Sequence, residues 1–211
     1  MTLIIAVDGP AASGKGTIAA RLALTYGLPH LDTGLLYRAV GARLLAQGLS
    51  LDDEAAATEA ARGLDASGLS DDPGLTTGEA ASRVASFTGV RSALLDLQQV
   101  FAAQPGGAVL DGRDIGTVIA PDAPAKLFVT ATPEVRATRR WKQLAARGSD
   151  ISFEDMLADI QRRDERDAGR GAAPMVQADD AVLLDTTDMG IEAAFDAALR
   201  IVEAARAKHV L

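Results

Sequence analysis

The residues best suited to chemistry lie near the N-terminus. Gly9, Gly14 and Lys15 are spaced as G-x-x-x-x-G-K, with Pro10, Ala11, Ala12 and Ser13 inside the motif and Gly16-Thr17 after it. Small residues in such a turn let successive backbone N–H groups curl around phosphate oxygens. A helix that starts there adds unpaired N–H groups and a dipole that favours an anion. A lysine in this position bridges the β- and γ-phosphates of a nucleoside triphosphate, and a nearby hydroxyl serves Mg²⁺. The common form has Ser or Thr directly after the lysine. Here Gly16 intervenes, so Thr17 is the preferred metal hydroxyl and Ser13 the second choice. The rival reading is a glycine-rich turn with no ligand.

Three further groups carry charge where charge is costly. Asp111-Gly112-Arg113-Asp114 follows a short apolar run and reads as the C-terminal end of a buried strand, where open α/β sheets hold their ligands. It is either a ligand site or a turn closed by a local salt bridge. Arg162, Arg163, Arg166 and Arg170 are interleaved with Asp164, Glu165 and Asp167. That pattern fits a salt-bridged surface helix. It also fits a mobile lid, with Gly169 and Gly171 as flexible points and guanidinium forks that close on phosphate. Arg38 sits early in a predicted helix, where a cation gains nothing from the dipole, so it either faces an anion or is solvated. Ser82 and Arg91 flank Gly89 and, on pattern alone, read as surface groups.

The elements that position these residues follow from hydrophobic period and turn chemistry. Residues 1–7 form an apolar, β-branched run that predicts a buried strand before the glycine loop, and Ile18, Leu22 and Leu24 predict a helix after it. Further strands are expected at 28–31, 108–110, 125–130 and 180–185. Asp32-Thr33 should cap a helix running to about Leu45, Ser50 one reaching Leu64, Thr132-Pro133 one ending near Gly148, and Ser152 one reaching the arginine segment. A helical stretch over 78–102 should break at Gly89, and a last helix should run from 191 to 208. Arg136, Arg139, Arg140 and Lys142 are expected on an exposed face. Residues 65–77, rich in Gly, Ser and Asp, read as a surface loop.

Composition narrows the function classes. The 211-residue chain suffices for one sizeable core, and 48% hydrophobic with 24% charged residues is an ordinary globular mix. The formal charge of −8 argues against non-specific binding of nucleic acid or an anionic membrane. With no cysteine, disulfides, thiolate chemistry and Cys-based metal sites are excluded. No signal peptide and no spanning segment is read in the sequence, so a cytoplasmic setting is expected.

A phosphate loop alone does not choose among switch, motor and small-molecule kinase. The arginines say more. Phosphoryl transfer needs two aligned substrates and neutralised charge, and a phosphorylated acceptor needs cations of its own. Arg38, Arg113, Arg163 and Arg170, on separate segments, fit such an acceptor.

With these residues in view, the chain resembles the bacterial cytidylate kinases of the nucleoside monophosphate kinase family over essentially its whole length. The resemblance is carried by Asp8-Gly9-Pro10 through Gly14-Lys15-Gly16-Thr17, by Asp32-Thr33-Gly34-Leu35-Leu36-Tyr37-Arg38 and by Ala81-Ser82-Arg83-Val84-Ala85. It continues in Val90-Arg91, in Asp111-Gly112-Arg113-Asp114-Ile115-Gly116-Thr117-Val118, in Arg162 through Asp167 and in Ala173-Pro174. It implies a single three-layer α/β/α phosphate-loop kinase over 1–211, with about five parallel strands, a reduced acceptor lobe at 48–102 and a helical lid at 147–172. It implies transfer of phosphate from ATP, with Mg²⁺, to CMP or dCMP. Gly9, Ala11, Ala12, Ser13, Gly14, Lys15, Gly16 and Thr17 would hold ATP. Thr33, Arg38, Arg113 and the lid arginines would hold the acceptor. Ser82, Arg91 and Asp114 would read the cytosine edge, and Asp167 would meet the ribose. Arg139, Arg163 and Arg170 would close on the phosphates beside Lys15. A monomer is expected. An ionised Asp114 only accepts, which suits the cytosine amino group and disfavours the uracil carbonyl. Two departures stand out: the 65–77 segment is short where many relatives carry a small sheet, and Thr33 stands where serine is common. The alternatives are a kinase for another acceptor, such as UMP, dTMP or a non-nucleotide acid, and a nucleotide-dependent switch.

Overall fold

A computed structural model describes residues 2–64 and 78–208. The expectation of a loop at 65–77 lies outside the described residues. Five strands form one parallel sheet in the order β2-β3-β1-β4-β5. They are β1 (Leu3–Asp8), β2 (His30–Asp32), β3 (Gly107–Gly112), β4 (Ala125–Thr130) and β5 (Val182–Asp185). The chain builds the sheet first on one side of β1 and then on the other. The switch leaves a crevice outside the C-terminal ends of the strands.

The strand period of two divides the core. Ile5 and Val7 of β1 and Val109 of β3 face α1 (Lys15–Tyr26) and α8 (Ile191–Lys208), packing on Ile18, Leu22, Phe195 and Val202. Ala6, Ala108 and Leu110 point the other way, towards Ala102 of α5 (Thr88–Ala102) and a π-helical turn, Ile115–Ile119. The result is the expected three-layer arrangement. A third cluster joins α2 (Thr33–Ala46), α3 (Glu54–Arg62), α4 (Gly78–Val84) and α5 through Leu36, Val40, Leu44, Ala57, Val84 and Leu94. A fourth joins α6 (Pro133–Ala145) to α7 (Phe153–Ala168) through Ala137, Met156 and Ile160, and takes in Ala11 of the glycine loop. Trp141 packs edge-on to Phe153, with ring centroids 6.5 Å apart, and its indole N–H donates to Ile151 O at 3.0 Å.

The caps explain most boundaries. Asp32 accepts from Gly34 N at 2.9 Å and Ser152 from Asp155 N at 3.0 Å, as their sequence positions predict. Two expectations are corrected. Helix α3 begins at Glu54 with Asp53 as its cap, accepting from Ala56 N at 2.9 Å, because Ser50 instead closes a turn onto Asp52 N at 3.1 Å. The break in 78–102 falls at 85–87, and Gly89 lies inside the first turn of α5. A side chain at Gly89 would put its Cβ 2.3 Å from Thr58 Oγ1, so this glycine serves helix-to-helix approach and does not end a helix.

Candidate active site

The crevice is a cavity of about 750 Å³ reaching from the glycine loop to α4, α5 and α7. Its floor is the loop after β1. Gly9 has φ 146°, and a Cβ there would stand 2.0 Å from the Val129 carbonyl oxygen of β4, so only glycine fits. Gly14 caps α1 at φ 94° and supplies no side-chain cap, so the first N–H groups of α1 are left for an anion. The loop is braced from below. Arg139 and Thr186 donate to Ser13 O at 3.3 and 3.1 Å, and Arg136 donates to Ala11 O at 3.3 Å. Thr17 is exposed at the mouth of the loop, whereas the Ser13 hydroxyl is buried and lacks a hydrogen-bond partner among the described residues.

Cations gather over this floor. Lys15, Arg38, Arg113, Arg140, Arg163 and Arg170 all line the cavity. Burial, and then the Arg113 guanidinium, push the Lys15 ammonium down to about 8. Burial and the same neighbour weaken the proton affinity of Arg163, and burial does so for Arg170. The Nε groups of Arg163 and Arg170 are buried with no hydrogen-bond partner among the described residues. Buried donors and mutually repelling charge of this kind favour a bound anion.

Acidic groups fix the arginines. Arg38 pairs with Asp32 at 2.6 Å, and Arg113 Nε with Asp167 at 2.8 Å; Arg170 bonds the other oxygen of Asp167. Burial alone would raise the Asp167 carboxyl, but Arg113 and Arg170 hold it below the usual carboxylate range. At the inner end of the cavity Arg91 donates to Asp114, and both are buried. Ser82, on α4, is buried too and lines the same cavity, so the expectation that Ser82 and Arg91 are surface groups on pattern alone does not hold. The loop carrying Asp114 is tied to β1, where Asp8 accepts from Ile115 N at 2.8 Å and Gly116 N at 2.7 Å.

The residues given a site role line the cavity except Gly9, which lies beneath it against β4, while Arg162 and Arg166 of the arginine segment turn to Asp159 and to Glu79 instead; three further placements qualify the expected roles. Arg139 directs its hydrogen bonds to the Ser13, Thr186 and Met189 backbone and to the Thr186 hydroxyl. The Thr33 hydroxyl is buried and donates to Asp111 O at 2.9 Å. Arg136, expected on an exposed face, is buried and paired with Asp164 at 2.6 Å, because α7 packs over that side of α6. Sequence reasoning also passed over Asp111 as a separate group. Its carboxylate is buried, is met by His30 Nε2 at 2.8 Å, and lies 3.7 Å from where a Cβ on Gly16 would stand. Its position at the end of a strand beside β1 was the available signal.

A phosphate loop, an arginine cluster and a buried donor–acceptor pair thus share one cavity. The sequence profile described as cytidylate kinase matches residues 5–204 of the chain. The chain belongs to the cytidylate kinase family. A cytidylate kinase from Xanthobacter autotrophicus is 69% identical over 97% of this chain and 99% of its own length. One from Caulobacter vibrioides is 66% identical over the full length of both. Among solved structures, a gluconokinase from Sinorhizobium meliloti superposes with a TM-score of 0.54 at 16% identity, covering 99% of this chain and 96% of that one. An uncharacterised protein from Eubacterium ventriosum gives 0.57 at 14%, over 96% and 99%. At such identities these two share the fold alone. No helix among the described residues of this cytidylate kinase family member is long and apolar enough to cross a membrane.

Proposed function

We propose that the chain transfers the γ-phosphoryl group of ATP to CMP, and also to dCMP, and that the residues around the crevice carry out the transfer. The observation that carries the reading is that the buried Arg91–Asp114 pair opens into the same cavity as Lys15. One end is built for triphosphate and the other for a base that shows both donors and acceptors.

In this reading the N–H groups of Gly9, Ala11, Ala12, Ser13, Gly14 and Gly16 wrap the ATP phosphates, and Lys15 bridges the two outer ones. Arg38 and Arg113 hold the acceptor phosphate in line. Asp32 and Asp167 aim those two guanidinium forks. Arg163 and Arg170, which line the cavity, supply charge where charge develops. Arg139 acts by bracing the loop, close enough to Thr186 and Ser13 to set the height of the donor phosphates. Asp114 accepts from the cytosine amino group and Arg91 donates to the ring acceptors, while Asp167 meets the ribose and Thr33 supports the acceptor side. No side-chain base is required, since the acceptor phosphate oxygen is already an anion.

The residues present suit Mg²⁺. Thr17 offers a hydroxyl and Asp111 a carboxylate beside Gly16, and a hard cation of this kind takes one or two such ligands together with substrate phosphates. When bound, the ion would neutralise charge on the donor phosphates. We read 48–102 as the acceptor lobe and 147–172 as the lid that excludes water, in a monomer. The same reading places the enzyme in the cytoplasm.

The test is ADP release from ATP and Mg²⁺ with CMP, dCMP, UMP, AMP, GMP and dTMP offered singly. Turnover confined to CMP and dCMP is expected. Turnover led by another acceptor would keep the kinase fold and overturn Ser82, Arg91 and Asp114 as cytosine readers.

A further inference from the structure

Arg166 has no part in the scheme above, yet it makes the firmest contact between α7 and α4. Its two terminal nitrogens bond both oxygens of Glu79, at 3.1 and 2.9 Å, and Nη1 also donates to Ser82 Oγ at 2.9 Å. Ser82 Oγ in turn lies 3.4 Å from Asp167 Oδ1.

A serine hydroxyl has one hydrogen and two lone pairs. A guanidinium only donates, so Arg166 occupies one lone pair. Asp167, ionised between Arg113 and Arg170, only accepts, so it takes the hydrogen. One lone pair remains. We infer that Arg166 is a specificity-determining positioning residue: together with Asp167 it fixes Ser82 as a pure acceptor towards the base. The inference rests on the proposed reading that Ser82 faces the base.

Its consequence is chemical. Asp114 and Ser82 then offer two acceptors to the exocyclic amino group of cytosine, which has two hydrogens to give. The uracil carbonyl at that position meets acceptors on both sides. Without Arg166 the serine is held only by the long 3.4 Å contact to Asp167, and it would turn its hydrogen to that carbonyl and lose the distinction. The Glu79 carboxylate keeps the guanidinium from turning away. Because Arg166 sits on α7 one residue before Asp167, the lid helix and the base reader are set by one side chain.

The experiment measures kcat/KM for CMP and for UMP in the full chain and in Ser82→Ala, Arg166→Met, Arg166→Lys and the Ser82→Ala/Arg166→Met double variant. Arg166→Met should lower the CMP-to-UMP ratio roughly tenfold, the scale of one hydrogen bond, and should leave KM for ATP unchanged. Ser82→Ala should lower it comparably, and the double variant should be no worse than Ser82→Ala. Arg166→Lys, which retains a donor, should restore most of the ratio. If Ser82→Ala lowers the ratio and Arg166→Met does not, the inference fails while the base reading stands. If Ser82→Ala leaves the ratio intact, the base reading of Ser82 fails and takes the inference with it. Should Arg166→Met not fold, Glu79→Gln is the second variant. A smaller fall, absent in the Ser82→Ala background, supports the inference, and an unchanged ratio overturns it.

Discussion

Arg91 and Asp114 are bonded to each other in the depth of the cavity, and both are buried. A donor fork and an acceptor carboxylate are therefore held at hydrogen-bonding separation before any base arrives. In the proposed reading, a cytosine edge, with its amino hydrogens beside ring acceptors, would meet partners that are already aligned.

Removing one member of that pair tests its role. Asp114→Ala leaves the Arg91 charge buried without its carboxylate and should cost about 3–5 kcal/mol of stability. Asp114→Asn keeps an acceptor and should cost less, while its amide can turn a donor to the uracil carbonyl. The CMP preference should therefore fall in Asp114→Asn, as read by the kcat/KM ratio for CMP and UMP. A ratio equal to or above wild type would remove Asp114 from base reading.

Lys15 should impose a basic limb on activity. Its ammonium is pushed down to about 8 by burial and Arg113, and only the charged form attracts phosphate. The profile of kcat/KM for ATP, which reports the free enzyme, should fall as pH rises through about 8. Lys15→Arg should lose that limb, because a guanidinium stays charged. Lys15→Ala should lose most of the rate at every pH with the melting transition kept.

Asp8 should leave a mark on stability. Burial raises its carboxyl from 3.8 to about 6. The group thus favours the folded state fully below about 3.8, and that contribution is lost as pH rises through about 6. The stability of wild type relative to Asp8→Asn should fall across this window. The substitution itself turns an amide N–H₂ towards the Ile115 or Gly116 N–H and should cost about 1–3 kcal/mol. Denaturant titrations at pH 4, 5, 6 and 7 would show both effects.

Gly78 should matter to activity more than to folding. A Cβ there would stand 2.6 Å from Arg163 Nη1 and 2.8 Å from its Cζ. Gly78→Ala should displace this guanidinium and lower kcat roughly a hundredfold, the scale of losing one stabilising donor at a transition state. Stability should hold or rise by up to about 1 kcal/mol, since alanine is the better helix former. A parallel loss of rate and melting temperature would mean that the helix, not Arg163, was disturbed.

The backbone frame of the site was legible because motif spacing fixes backbone shape locally: glycine loop, strand end and capped helix each declare themselves within a few residues, whereas Ser82 and Arg91 read on pattern alone as surface groups. What escaped were groups whose meaning depends on a distant partner. Arg136 reads as a solvent-facing arginine until α7 places Asp164 against it, and Gly89 as a helix breaker until Thr58 fills the space where its side chain would be. Asp8 was visible only as the residue before a glycine, because its two N–H donors come from more than a hundred positions away. Helix period predicted the apolar faces well. It could not reveal which polar residues another element would bury.

Trp141 is the only tryptophan in the chain, and it sits at the joint of α6 and α7. The intrinsic near-ultraviolet emission of the whole protein is therefore dominated by a place where α7, the proposed lid helix, meets the core. Its Phe153 contact and its bond to Ile151 O both break if the two helices separate. Stopped-flow fluorescence on the unlabelled protein would then time lid movement against ADP appearance, and would say which of the two limits turnover.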